Sequence, residues 1–205
     1  MNSTLRGVTM KIDHDVREGV RSSLPELDWI QDTKLREKVV DAWALSLAKN
    51  GFRRIEDIPA SGNPSTPLMK RGTQADHLRG VARIALRMAE ELEQLLGPLD
   101  INSDMLIAAG LCHDVGKPFE FSEANQTRWK SDHRSGLPAL RHTLFGAHVA
   151  LTVELPEEIA HVAGCHSMEG QFVRKSVIDT IIHHADYAFW DILDRGGVLE
   201  PQKPQ

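Results

Sequence analysis

Apolar residues recur at three- and four-residue spacings along most of this chain, and strict apolar/polar alternation is scarce, so helices are expected throughout. Between Asp32 and Gly51 the stripe Leu35, Val39, Ala42, Trp43, Leu45 and Leu47 predicts a helix. Asp32 or Thr33 would cap its start, and Gly51 would end it. From Thr73 a second stripe, Leu78, Val81, Ala85, Met88, Leu92 and Leu95, runs to the stop at Gly97-Pro98. Ser103 is placed to cap a third helix, almost wholly apolar, which reads LIAAGLCHDVGKP over 106–118 and breaks at Gly116-Lys117-Pro118. A helix over 142–154 would bury Leu144, Ala147, His148 and Leu151. Pro156 suits the first turn of the next one, which ends near Gly164. A last helix runs from about Val173 to Leu193 with Ile178, Ile182, Ala185 and Phe189 turned inward.

The stretches between these stripes divide the chain. Residues 1–23 are polar and predict a loosely ordered N-terminal segment, followed by a helical cap over 24–60. Pro, Gly and Ser crowd the region that follows, so 61–72 reads as a linker. Residues 73–195 form the principal helical domain, and 196–205 a frayed tail. Within the domain, the polar run after Pro118 is irregular; Phe119–Phe121 and Thr127–Trp129 could pair there as a short hairpin. The expected fold class is all-α, a helical bundle with a short irregular or hairpin insertion.

Composition narrows the possibilities. At 205 residues, 41% hydrophobic and 26% charged, the chain suits a soluble domain with a real core. A net charge of −5 supplies no overall basic field, so nucleic acid is not an expected partner. Cys112 and Cys165 are too few for a disulfide framework and read as buried thiols. No segment approaches the roughly 20 apolar residues of a membrane span, and the start lacks a signal-peptide core. A cytoplasmic location without membrane attachment is the expectation. Oligomeric state is not legible. Histidine is the unusual component: there are ten, nine of them between residues 77 and 184.

His113 and Asp114 end the apolar helix side by side. Adjacent ionisable groups there are costly to bury without a partner. Neighbours on a helix diverge by about 100°, so such a pair can address two ions. His77 begins the helix at 73, His142 begins the one at 142, and His166 follows a helix end. Asp186 lies among Ile182 and Phe189, where a buried carboxylate needs a cation or several donors. Imidazoles and carboxylates suit Fe, Mn, Zn and Ni ions, and one carboxylate can bridge two cations about 3.5–4 Å apart. Asp114 is the candidate bridge.

The order His77, His113-Asp114, Asp186, with HDVGK after a hydrophobic helix, resembles the HD-domain metal-dependent phosphohydrolase superfamily over residues 73–195. His142 and His166 look like the two extra histidines of its dinuclear branches. Those branches include HD-GYP cyclic-dinucleotide phosphodiesterases, CRISPR-associated HD nucleases and di-iron HD oxygenases. The resemblance implies that His77, His113, Asp114 and Asp186 hold one metal, and Asp114, His142 and His166 a second. The stretch after His166, SMEGQF, departs from the Gly-Tyr-Pro signature of the HD-GYP enzymes.

The implied cofactors are two divalent transition-metal ions, Fe or Mn first, with Zn, Ni or Co as alternatives. The implied reaction is hydrolysis of a small phosphoester or nucleotide by a metal-bridged hydroxide. The partner would be a small anionic, phosphorylated substrate. An HD-type di-iron oxygenase cleaving a C–C or C–P bond is the alternative enzyme, and a metal-stabilised regulatory binding module the alternative non-enzyme. With Asp114, Lys117 is the catalytic candidate: it can reach a substrate oxygen, the bridging ligand or helix-terminal carbonyls. Arg141 can bind an anionic substrate group or make a surface salt bridge. His183, roughly 60° around the helix from Asp186, can reach the pocket or orient a ligand. His148 is a core or ligand-supporting candidate; His133, His161 and His184 read as solvated or pointing away. Lys70, Arg71, Lys130 and Arg134 are entrance or surface candidates, and Trp129 a lid.

Overall fold

Each predicted stripe folds as a helix, and the caps explain where each begins. The computed structural model describes residues 13–129 and 140–201. In chain order come α1 (His14–Ser23), α2 (Thr33–Lys49), α3 (Gln74–Leu96), α4 (Ser103–Cys112), α5 (Lys117–Phe121), α6 (Glu123–Trp129), α7 (His142–Thr152), α8 (Glu157–Cys165) and α9 (Val177–Arg195). Asp32 caps α2 by accepting from the backbone N–H groups of Lys34 and Leu35. Thr73 and Asp76 form a reciprocal capping box on α3. Asn102 caps α4, one residue ahead of the expected Ser103, and Ser176 caps α9. Among the described residues there is no sheet, only two isolated bridges, Ser61 with Leu68 and Met69 with Leu199.

The apolar α4 is the axle. Every residue from Leu106 to Cys112 is buried, as expected for a helix hydrophobic on all sides. α2, α3, α8 and α9 pack around it. Two carbonyls at and just past its end would be orphaned inside the core, but α2 satisfies them. Trp43 Nε1 donates to the Leu111 carbonyl at 2.8 Å, and Ser46 Oγ donates to the Val115 carbonyl at 2.6 Å. These bonds pin the turn that carries His113 and Asp114.

The core is continuous from Val16 to Ala185 and includes all six residues of the predicted α2 stripe. Several expectations are corrected. The stretch 14–23 is helical, with Val16 and Val20 buried, because Arg17 and Arg21 anchor it to Glu37 of α2. Phe119–Phe121 and Thr127–Trp129 lie in helices α5 and α6, not in a hairpin: Pro118 sits in the first turn of α5, where its missing N–H costs nothing. α9 starts at Val177 rather than Val173, set by its Ser176 cap. The described part of the tail, 196–201, is held in place, since residues 198–200 bond to 68–70, and 202–205 lie outside the described residues. Leu92 and Leu95 run past the core on α3 and are exposed.

The largest correction concerns α7. Its buried face is His142, Thr143, Gly146, Val149 and Ala150, whereas Leu144, His148 and Leu151 are exposed. Small residues face inward because the backbones nearly touch. A Cβ on Gly116 would lie 2.6 Å from the Gly146 nitrogen and would overlap the His142 carbonyl oxygen.

Candidate metal centre

Five elements deliver the six predicted ligands to one place. His77 lies in the first turn of α3, His113 and Asp114 in the turn after α4, and His142 opens α7. His166 caps the end of α8, and Asp186 lies midway along α9. All six are buried.

Asp114 stands at the middle with its two oxygens facing opposite groups. Oδ2 lies 3.1 Å from His77 Nε2 and 3.4 Å from His113 Nε2. Oδ1 lies 3.4 Å from His142 Nε2 and 3.6 Å from His166 Nε2. Asp186 Oδ1 closes the first side, 3.4 Å from His77 Nε2 and 3.8 Å from His113 Nε2.

The other ring nitrogens decide what the Nε2 atoms offer. His113 Nδ1 donates to the Gly110 carbonyl at 2.7 Å, and His166 Nδ1 to the Val162 carbonyl at 3.1 Å. His142 Nδ1 donates to Glu120 Oε2 at 2.6 Å. With the proton on Nδ1, each Nε2 turns a lone pair toward Asp114. His77 and His113 Nε2 are only 3.1 Å apart. Asp186 Oδ1 is buried with no hydrogen-bond donor. Lone pairs and carboxylates converging in a dry cluster repel unless a cation lies among them. The donor set therefore fits divalent metals. Among the described residues, two groups have ligand atoms close enough together to hold an ion: His77, His113 and Asp186, and His113, Asp114 and His166.

The electrostatics agree. Burial alone would raise the Asp114 pKa, yet Lys117 and His113 hold it well below the ordinary carboxylate range. Burial lowers His77 and His142, favouring the neutral imidazoles that ligate metals. Burial also works against the His113 cation, but Asp114 and Asp186 outweigh it and raise its pKa.

Lys117 is buried, with Nζ 3.2 Å from Asp114 Oδ2. It also donates to the backbone carbonyls of Ser61 and Gly62, so the predicted linker folds over the centre. Of the options open to Lys117 in the sequence, the geometry gives the Asp114 carboxylate. Gln74 adds a donor to Asp114 Oδ2 at 3.0 Å. Phe189 packs edge-on against His77 and Trp190 lies tilted over it, at ring separations of 4.8 and 4.7 Å.

Arg141 is occupied by carboxylates: Nε donates to Glu120 Oε1 at 2.9 Å, and Nη1 lies 3.0 Å from Glu169 Oε1. His183 Nδ1 donates to the His166 carbonyl at 2.5 Å, so it supports a proposed ligand through the backbone. Glu120 and Gln74 are the residues sequence reasoning missed. Gln74 had a signal, lying three residues before His77 on the same face of α3. Glu120 had none: it meets His142 only because α5 folds back on α7.

The weaker candidates scatter. His148 is exposed rather than in the core, and His184 is exposed as expected. His161 lies 3.1 Å from the buried Asp179 carboxylate rather than being fully solvated. Lys70 is exposed and donates to the Gly197 carbonyl. Lys130, His133 and Arg134 lie outside the described residues, as does the side chain of Trp129.

This arrangement coincides with a family match. The model of the HD domain family matches residues 75–190, more than half of the chain. The chain belongs to the HD-domain metal-dependent phosphohydrolase superfamily. The HD domain thus spans the elements from α3 to α9 that carry the cluster. The chain is also 28% identical over 166 residues to a curated protein of Methanocaldococcus jannaschii, dihydroneopterin 2',3'-cyclic phosphate phosphodiesterase. That alignment covers 78% of this chain and 64% of the relative's length. No solved structure matches the chain. Among the described residues, no helix is long and apolar enough to cross a membrane.

Proposed function

We propose that this HD domain hydrolyses a small phosphoester at a dinuclear divalent-metal centre, with a cyclic phosphodiester as the first substrate class to try. The observation that carries the reading is Asp114, whose Oδ2 lies within 3.4 Å of the His77 and His113 Nε2 atoms while its Oδ1 lies within 3.6 Å of those of His142 and His166. His77, His113, Asp114 and Asp186 would hold one ion, and Asp114, His142 and His166 the other. Fe and Mn are the first candidates. Bound ions supply Lewis acidity, polarising a phosphoryl oxygen and acidifying water. The similarity to a cyclic-phosphate phosphodiesterase supports the substrate class.

The chain's own groups do the rest. Of the buried groups Asp114, Asp186 and Lys117, two are carboxylates and one an ammonium, 3.2 Å from Asp114, so together they carry a single excess negative charge. Two divalent cations reverse that sign, and an anionic substrate is then drawn in. Lys117 fixes the Asp114 carboxylate in its bridging orientation while the Ser61 and Gly62 carbonyls hold the ammonium. Phe189 and Trp190 give the His77 side an aromatic wall, which keeps local water out and strengthens the electrostatics.

The test is a panel of 2',3'-cyclic phosphodiesters and phosphomonoesters, run with Mn or Fe under anaerobic conditions. Turnover is expected for the parent, and a loss of at least about 10³-fold for Asp114→Ala, the scale on which charge-stabilising groups act. Turnover that required dioxygen would instead favour the oxygenase chemistry known on the same ligand set.

A further inference from the structure

Glu120 is a buried carboxylate with no role in the ligand set, and it belongs to no predicted motif. It stands in the middle of a chain of polar contacts. One of its oxygens, Oε2, accepts from His142 Nδ1 at 2.6 Å. The other, Oε1, accepts from Arg141 Nε at 2.9 Å. Arg141 is gripped at its far end by Glu169, 3.0 Å away, on the short 3-10 turn that follows His166. We propose that Glu120 is the positioning residue of the second metal site, and that Arg141 holds Glu120 in register rather than contacting substrate.

The inference rests on the dinuclear reading, but it concerns this chain's own geometry. His142 differs from the other two proposed ligands whose Nδ1 is engaged. His113 and His166 each bond a carbonyl of their own helix, three or four residues back. His142 opens α7, so no preceding turn of its own helix offers it a carbonyl. Its ring could rotate or carry the proton on Nε2, which would abolish it as a ligand. The Glu120 carboxylate prevents both: it accepts only, so it fixes the proton on Nδ1 and leaves the Nε2 lone pair facing Asp114 Oδ1. A carboxylate partner also strengthens the imidazole as an electron donor, more than a carbonyl does.

Arg141 completes the device. A carboxylate with no exposure needs a partner for its second oxygen, and the guanidinium supplies one in a fixed, planar geometry. Because Glu169 follows His166 by three residues, the same Arg141 ties the turn after one proposed ligand to the residue beside the other. Both imidazoles of the second site are thereby braced by one network.

The experiment compares the parent with Glu120→Gln, Glu120→Ala and Arg141→Met by calorimetric Mn titration, with circular dichroism to check folding. Imidazole ¹⁵N NMR of the metal-free protein reads the tautomer. In the parent, two ions and an Nδ1–H tautomer at His142 are expected. In Glu120→Ala one ion should remain, and Nε2–H should appear at His142. In Glu120→Gln the weaker of the two affinities should fall about 10- to 100-fold, and Arg141→Met should weaken the same ion. Two ions bound with parental affinity in folded Glu120→Gln and Glu120→Ala would overturn the inference. A parent that binds a single ion would instead reject the dinuclear reading, and the tautomer at His142 would then decide the role of Glu120. If Glu120→Ala does not fold, Glu120→Gln carries the same comparison.

Discussion

Lys117 concentrates the energetics of this centre in one side chain. It is among the largest fully buried side chains of the protein, and each of its partners is an acceptor. Breaking a buried pair leaves the partner charge uncompensated, typically at about 3–5 kcal/mol. Lys117→Met is expected to lose stability on that scale when metal-free, and distinctly less with Mn bound, because the cations then compensate Asp114. Denaturant unfolding with and without Mn checks it; equal losses in both states would count against a metal next to Asp114. At this scale the sequence was readable where chemistry is local. Five of the six histidines and aspartates stood out at helix ends beside apolar runs, Asp186 stood out on an apolar stripe, and the structure brings all six together. Glu120 was not readable, since its partner lies 22 residues away and is reached only through the crossing of two helices.

Helices α1 and α7 show how an element's orientation is decided. The stripe Leu144, Ala147, His148, Leu151 on α7 lies opposite His142, because nine residues of helix turn through about 900°, half a turn from the start. Both faces could not be buried, and the ligand face prevailed. The conflict was present in the sequence, and an apolar pattern alone resolves it wrongly when a site competes for the inside. For α1 the deciding contacts are ionic. Arg17 and Arg21 reach Glu37 at 2.9 and 2.6 Å, and Arg17 also pairs with Asp41. Burial alone would raise the Glu37 pKa, but hydrogen bonds and attraction from Arg21 and Arg17 leave it below 4.5. A depressed carboxylate stabilises the fold at pH above its unfolded value, and that contribution disappears as pH falls through the folded value. The protection factors of the α1 amides, taken relative to the intrinsic exchange rate at each pH, should therefore fall below about pH 5, ahead of those in α4. The effect should be small and weakened by salt, because Glu37 is half exposed.

Across the whole molecule, the centre is where the fold converges. α3, the turn after α4, α7, α8 and α9 each bring at least one of the six proposed ligands to Asp114 or Asp186, so no single element can leave without opening the cluster. Ions that bind only the folded chain stabilise it by mass action, about 2.7 kcal/mol at a concentration 100 times Kd. The melting temperature should rise steadily with added Mn and fall with chelator; a melting temperature indifferent to both would count against any metal here. The architecture followed from the sequence because helical periodicity and caps are local. The way the ends close did not, because residues 61–70 and 198–200 carry no pattern that announces a pairing.

That closure ties the far end of the chain to its chemistry. Lys70 N–H donates to the Val198 carbonyl and Glu200 N–H to the Leu68 carbonyl, both at 2.8 Å. The same strap, a few residues earlier, grips the Lys117 ammonium through Ser61 and Gly62. Trimming the C-terminus ahead of Val198, a common step when preparing a protein for crystals, would unfasten the buckle on that strap. A shortened chain that stayed helical would hand Asp114 a looser lysine, so the inactivity of such a fragment would say little about the full-length chain.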